Sequence, residues 1–144
     1  MRITIVDNDH VSALKACFDL IQALRPELDE PAFIRAVRRM QPQGYRLALL
    51  ETGGRAVALA GFRISESLAW RRYLYVDDLV TRPEDRSKGY GARLLEWLQQ
   101  HAAECGCKQI HLDCGMPREA AHRFYQSAGF QASALHFHKP LHSR

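Results

Sequence analysis

The chain has 144 residues, 47% hydrophobic and 25% charged, with 20 Lys and Arg against 16 Asp and Glu for a formal charge of +4. This is the length and composition of one ordinary globular domain, expected to run over residues 1–144. Three features are missing: an apolar run long enough to span a bilayer, a signal-peptide core in the opening MRITIVDNDH, and a basic stretch interleaved with aromatics. Their absence argues against membrane and nucleic-acid partners and makes the cytoplasm the expected location.

Residues 2–6 alternate and are β-branched, which predicts an edge strand. A helix follows over residues 10–24, with Asn8 or Asp9 as its cap and Val11, Leu14, Phe18, Ile21 and Leu24 at helical spacing. Pro26 ends it. Glu30-Pro31 opens a second helix, with Phe33, Ile34, Val37 and Met40 facing inward, and Pro42 and Gly44 close it. Residues 45–51 and 55–65 read as two strands of a hairpin turned by Thr52-Gly53-Gly54. A long strand over 70–81 comes next. A helix then runs from about 89 to 104, striped by Leu94, Leu95 and Leu98 and ended by Gly106. Residues 109–114 read as a short buried strand and 118–127 as a helix stopped by Gly129. Residues 130–132 and 135–141 read as closing strands.

The predicted order is β-α-α-β-β-β-α-β-α-β-β. It describes an α+β chain with a mixed, mostly antiparallel sheet of about seven strands and helices on both faces. A right-handed β-α-β crossover puts the loop after the long strand beside the end of the next strand, where ligands of such sheets bind.

The most informative stretch is residues 73–91, YLYVDDLVTRPEDRSKGYG. Arg86-x-x-Gly89-x-Gly91 opens a helix, and a helix start offers unpaired N–H groups and the positive end of a dipole to an anion. Two phosphate loops are excluded by spacing. There is no Gly-x4-Gly-Lys-Ser/Thr, and Leu94 stands where a dinucleotide fingerprint needs its third glycine. Just upstream, Asp77 and Asp78 are candidate general bases. A plain strand puts them on opposite faces, and a bulge would alter that.

Residues 79–95 resemble motif A of the GCN5-related N-acetyltransferases. AHRFYQSAGF, residues 121–130, resembles that family's motif B, A-x-x-F-Y-x-x-x-G-F, at the expected separation with a strand between. The element order is similar over the whole chain. The resemblance implies that acetyl-coenzyme A is the co-substrate. It places the pyrophosphate on the backbone of Ser87, Lys88, Gly89, Tyr90, Gly91 and Ala92, with Arg86 and Lys88 able to add charge. It lays the pantetheine arm along Leu79, Val80 and Thr81. It also implies that Tyr125 protonates the departing thiolate, a task suited to a phenol. Tyr-x-Asp-Asp-Leu is similar to the acidic element of members acting on polyamines or amino sugars, so Asp77 is the first choice of base, ahead of Asp78. Tyr75 stands where histone-type members keep their base and cannot serve. Arg118 replaces the asparagine that many members have at the start of the motif-B helix.

The resulting expectation is direct acetyl transfer from acetyl-CoA to an amine in a ternary complex, the acceptor being a small molecule or a protein. The competing reading is a silent acyl-CoA sensor or partner-binding module on the same fold, against which Tyr125 and Asp77 both speak. Homodimers are common in the family, and one is an open expectation here. No metal is implied. His136-x-His138 falls on one strand face without a third ligand and fits a substrate pocket better. Cys17, Cys105, Cys107 and Cys114 form no Cys-x-x-Cys pair and read as reduced thiols.

Overall fold

The computed structural model describes residues 1–115 and 118–142. They form two compact units, Met1–Leu112 and Asp113–Arg144. The first unit holds β1 (Arg2–Ile5), α1 (Val11–Leu24), α2 (Glu30–Met40), β2 (Arg46–Thr52), β3 (Arg55–Ser67), β4 (Arg71–Thr81), α3 (Tyr90–Glu104) and β5 (Gln109–Leu112). Short 3₁₀ turns occupy Gln41–Gln43 and Pro83–Asp85. The sheet runs in the order β1-β2-β3-β4-β5, antiparallel throughout except for the parallel β4–β5 pair. Among the described residues no helix is long and apolar enough to cross a membrane.

The helices form where local chemistry favours them. His10, rather than Asn8 or Asp9, caps α1: its Nδ1 accepts the Ala13 N–H at 3.2 Å. Asp7 has turned the chain there by accepting the Asp9 N–H at 2.9 Å, and Asn8 is buried. Asp29 caps α2 by accepting from Ala32 N–H at 2.8 Å. Pro31 and Glu30 sit in the first turn of α2 and Arg38 and Arg39 in its last, which suits the helix dipole.

Side chains alternate across the sheet. Leu47 and Leu49 of β2, Leu59 of β3 and Val80 of β4 join Leu14, Phe18 and Ile21 of α1 and Phe33 and Val37 of α2 in one apolar core. The intervening Ala48, Leu50, Ala58, Ala60 and Phe62 are buried on the opposite face, where the Phe62 ring meets His101 of α3 edge-on at 5.7 Å. Helices therefore cover both faces, as expected. Leu94, Leu95 and Leu98 of α3 are at most 3% exposed. Burial of each contributes about 1.5–3 kcal/mol and fixes where the N-terminus of α3 lies.

The second unit contains α4 (Glu119–Ser127), followed by irregular chain. The sheet thus has five strands, not about seven. The expected strands over 130–132 and 135–141 do not form, and Leu135, Phe137 and Leu141 are 66%, 85% and 89% exposed. Alternation in sequence is compatible with a strand but does not by itself supply a pairing partner. β5 also ends at Leu112 and is at best half-buried, because as the outermost strand it is paired on one side only.

Candidate functional site

The register between β3 and β4 slips at one point. Gly61 pairs with Asp78, while its neighbour Phe62 pairs with Val76, so Asp77 is the extra residue of a β-bulge. The bulge cancels the alternation that would have separated the two acids. Both carboxylates reach side chains on the α1–α2 face of the sheet: Asp77 Oδ2 lies 3.2 Å from Arg63 Nε, and Asp78 Oδ1 lies 3.1 Å from Arg25 Nη2.

Asp78 is the more confined of the pair. Its second oxygen accepts from Tyr45 Oη at 2.7 Å. Tyr45 is 3% exposed, and burial, reinforced by the Asp78 charge, pushes its phenol far above the ordinary value, so it remains a donor. The contact exists because residue 61 is glycine. A Cβ there would collide with Tyr45 Oη, approach Tyr45 Cζ to 2.6 Å and come within 2.8 Å of Asp78 Oδ2. Arg63 fastens the other side. Its guanidinium lies 5.5 Å from the Tyr45 ring centroid, and it donates to Gln43 Oε1 at 3.3 Å and to Met40 Sδ at 3.4 Å. The end of α1, the end of α2, β3 and the β4 bulge thus meet in one polar network.

Beyond the bulge, no backbone of the described residues pairs with the side of β4 away from β3. β5 pairs only with Tyr73–Val76. The Arg82 N–H bonds Val57 O at 2.8 Å, so by the period of two the backbone groups of Val80 also face β3, while those of Leu79 and Thr81 face away from it. Leu79 and Thr81 are therefore placed to pair with an extended ligand.

The chain then turns through Pro83–Asp85 into α3. Ser87, a non-glycine residue, takes φ 65°, and Gly89, the N-cap of α3, takes φ 83°. Both are left-handed, a conformation that costs a residue with a side chain and suits glycine. α3 has no side-chain cap, and its first backbone bond to the cap is Arg93 N–H to Gly89 O. Among the described residues nothing accepts from the N–H groups of Ser87, Lys88, Gly89, Tyr90, Gly91 or Ala92. These six donors, at the positive end of a helix dipole, suit a pyrophosphate. Arg86 is exposed. Lys88 instead turns back to Asp85, its Nζ 3.1 Å from Oδ1.

Tyr125 belongs to the second unit. It is half-buried on α4, with ring centroids of Phe124 and Phe130 at 5.2 and 6.0 Å. Burial, then the Cys114 charge, raises its phenol pKa against the opposing pull of Arg118. It therefore holds its proton above the ordinary tyrosine range. Arg118 is the N-cap residue of α4 without a capping side-chain bond. The His122 Nε2–H donates to Gly115 O at 2.9 Å, and His136 Nδ1 lies 3.3 Å from Asp113 Oδ2. His138 is exposed.

Arg25, Arg63, Gly61 and the role of Tyr45 were missed by sequence reasoning, as was the buried Asp85. No local pattern marks them. The only available signal was a lone glycine within an apolar strand, which suggests a bulge or a close backbone approach.

Comparison with known proteins points in one direction. The profile of the acetyltransferase (GNAT) family matches residues 14–130. The "Uncharacterized N-acetyltransferase YhdJ" of Bacillus subtilis (strain 168) is 32% identical over 126 residues, covering 86% of this chain and 89% of that protein. Among solved structures, aminoglycoside N-acetyltransferase AAC(6')-Iy in complex with CoA superposes with a TM-score of 0.81 at 16% identity, covering 96% of this chain and 93% of that one. Glucosamine-6-phosphate N-acetyltransferase from Arabidopsis thaliana does so with a TM-score of 0.74 at 18% identity, covering 99% and 100%.

Proposed function

The chain belongs to the GNAT acetyltransferase family, and on that premise we propose that it moves an acetyl group from acetyl-CoA directly to the amine of a small-molecule acceptor. One observation carries the reading: the β4 edge at Leu79 and Thr81 leads, within one short loop, to six backbone donors without an acceptor among the described residues at the start of α3, with two carboxylates on the bulge immediately before it. The residues present fit a coenzyme A thioester, which supplies the acyl group and a thiolate leaving group. Ser87, Lys88, Gly89, Tyr90, Gly91 and Ala92 hold the pyrophosphate by backbone N–H groups, with Arg86 adding charge at the rim. Leu79, Val80 and Thr81 form the strand edge along which the pantetheine arm lies. The Leu79 N–H polarises the thioester carbonyl. Holding both reactants in one place converts a bimolecular encounter into a local one.

Asp77 takes the proton from the acceptor ammonium, directly or through water. Its side chain is 34% exposed against 15% for Asp78, and Asp78 has both oxygens engaged by Tyr45 and Arg25. Asp78 therefore positions the bulge and is the second choice of base. Tyr125 returns a proton to the leaving sulfur.

Thiol release from acetyl-CoA over a panel of small amines, amino sugars and peptides tests this. Turnover with at least one small amine, lowered in Asp77→Asn together with a shifted pH–rate profile, is expected. An unaltered profile moves the base to Asp78 or to water. One observation favours the sensor reading instead: Arg63 already pairs with Asp77. Coenzyme A binding combined with silence across the whole panel would establish that reading.

A further inference from the structure

Asp85 is the one acidic side chain buried among the described residues, at 3% exposure, and the transfer chemistry does not use it. It stands two residues before the first of the six donors. Arg55 Nη1, from the start of β3, is 2.7 Å from Asp85 Oδ2, and Lys88 Nζ is 3.1 Å from Oδ1. Arg55 Nη2 also reaches Glu84 Oε1 at 3.0 Å. Arg82 adds two further ties to the same strand, Nε to Ala56 O at 3.0 Å and N–H to Val57 O at 2.8 Å. The loop is thus fastened to β3 at Glu84 and Asp85, immediately before the backbone turns left-handed at Ser87 and Gly89. Alternating handedness over such a stretch aims successive N–H groups into one concavity.

We propose that Arg55 and Asp85 are positioning residues for the anion cradle; this rests on the reading of residues 87–92 as a pyrophosphate site. Coulomb's law alone argues against a carboxylate near a pyrophosphate, since the two repel. Asp85 is retained there because it holds Arg55 on one side and Lys88 on the other, fixing the loop so that its amides converge. Lys88 is spent on Asp85, and the backbone carries the anion.

The two roles predict opposite signs. Asp85→Asn removes a negative charge near the anion, so electrostatics alone would tighten coenzyme A binding. Loss of positioning weakens it by about tenfold or more, as expected when preorganised donors are released. Titration of the full chain with coenzyme A, by calorimetry, should show this loss in Asp85→Asn and in Arg55→Ala. Arg55→Lys should restore most of the affinity, and the acceptor KM should stay within about twofold, a split that general destabilisation would not give. The Arg55 side chain is 47% exposed, so Arg55→Ala keeps the test available where Asp85→Asn does not fold. Equal or tighter binding by the folded variants, with wild type binding normally, overturns the positioning role alone. Wild type that does not bind coenzyme A overturns the pyrophosphate reading and this inference with it.

Discussion

Gly61→Ala tests the architecture of the bulge with one methyl group. The new Cβ would collide with Tyr45 Oη and stand 2.6 Å from Tyr45 Cζ, against about 3.4 Å for an ordinary contact, so the ring must retreat by at least about 0.8 Å. Tyr45 is 3% exposed and has little room to do so. Overpacking of this kind costs about 1–3 kcal/mol. The retreat also stretches the 2.7 Å bond to Asp78, and a hydrogen bond to a charged acceptor is worth about 1.5–3 kcal/mol. The two costs overlap, because moving the ring relieves the clash by breaking the bond. A combined loss of about 2–4 kcal/mol lowers the melting temperature by about 6–12 °C in a chain of this length. Thermal unfolding followed by circular dichroism reads this, and denaturant unfolding gives the free energy. In a Tyr45→Ala background the ring is gone, and adding Gly61→Ala should cost less than about 1 kcal/mol, the coupling expected of residues in contact. A melting temperature within about 2 °C of wild type for Gly61→Ala alone would refute the link between the absent Cβ, the phenol and Asp78.

Gly89→Glu should abolish coenzyme A binding, since it puts a side chain at φ 83° and a negative charge at the helix start; normal affinity in a folded variant would remove the loop assignment. Tyr125→Phe should lower turnover more than cofactor affinity. Because the wild-type phenol titrates above its ordinary value, the wild-type rate should not fall through loss of this proton until the pH passes about 10; unchanged turnover in the variant would exclude Tyr125 as the acid. Cys17 is fully buried, and burial followed by the Glu51 charge pushes its thiol up to about 12. Cys105, Cys107 and Cys114 should therefore react with a thiol reagent at pH 8 in the native protein and Cys17 only in denaturant; four native thiols reacting at one rate would contradict that packing.

What the sequence made legible was local or periodic. The glycines at 89 and 91, the adjacent acids at 77 and 78, and the leucine stripe of α3 all sit within a few residues of the structure they specify. Each element of the first unit formed within a few residues of its expected position. What remained illegible depended on residues distant in the chain. The bulge at Asp77 is set by the register against Gly61, and the partners of Asp78 come from 33 and 53 positions away. The Arg55–Asp85 contact joins a hairpin turn to a loop after the next strand. The closing strands failed for the converse reason. The pattern at 135–141 alternates much as that of β1 does, but β1 pairs with β2 at four positions, and periodicity carries no information about whether a segment finds a pairing partner.

The two acids show how far this matters for chemistry. Adjacent aspartates in an ordinary strand would face opposite sides of the sheet, and only one could meet an acceptor. The bulge puts both on the α1–α2 face, and their surroundings then differ. Asp78 is closed off by Tyr45 and Arg25, so taking a proton there would mean displacing a donor that burial holds protonated. Asp77 is displaced outward, with more of its carboxylate exposed to incoming groups, and Arg63 fixes its orientation. The same guanidinium leans on the Tyr45 ring and bonds Gln43 beside the end of α2. A change in Arg63 would therefore alter both acids together. Arg63→Lys would keep the charge but lose the planar face over Tyr45 and the forked donors, which makes Arg63 the residue that ties the two carboxylates to the fold.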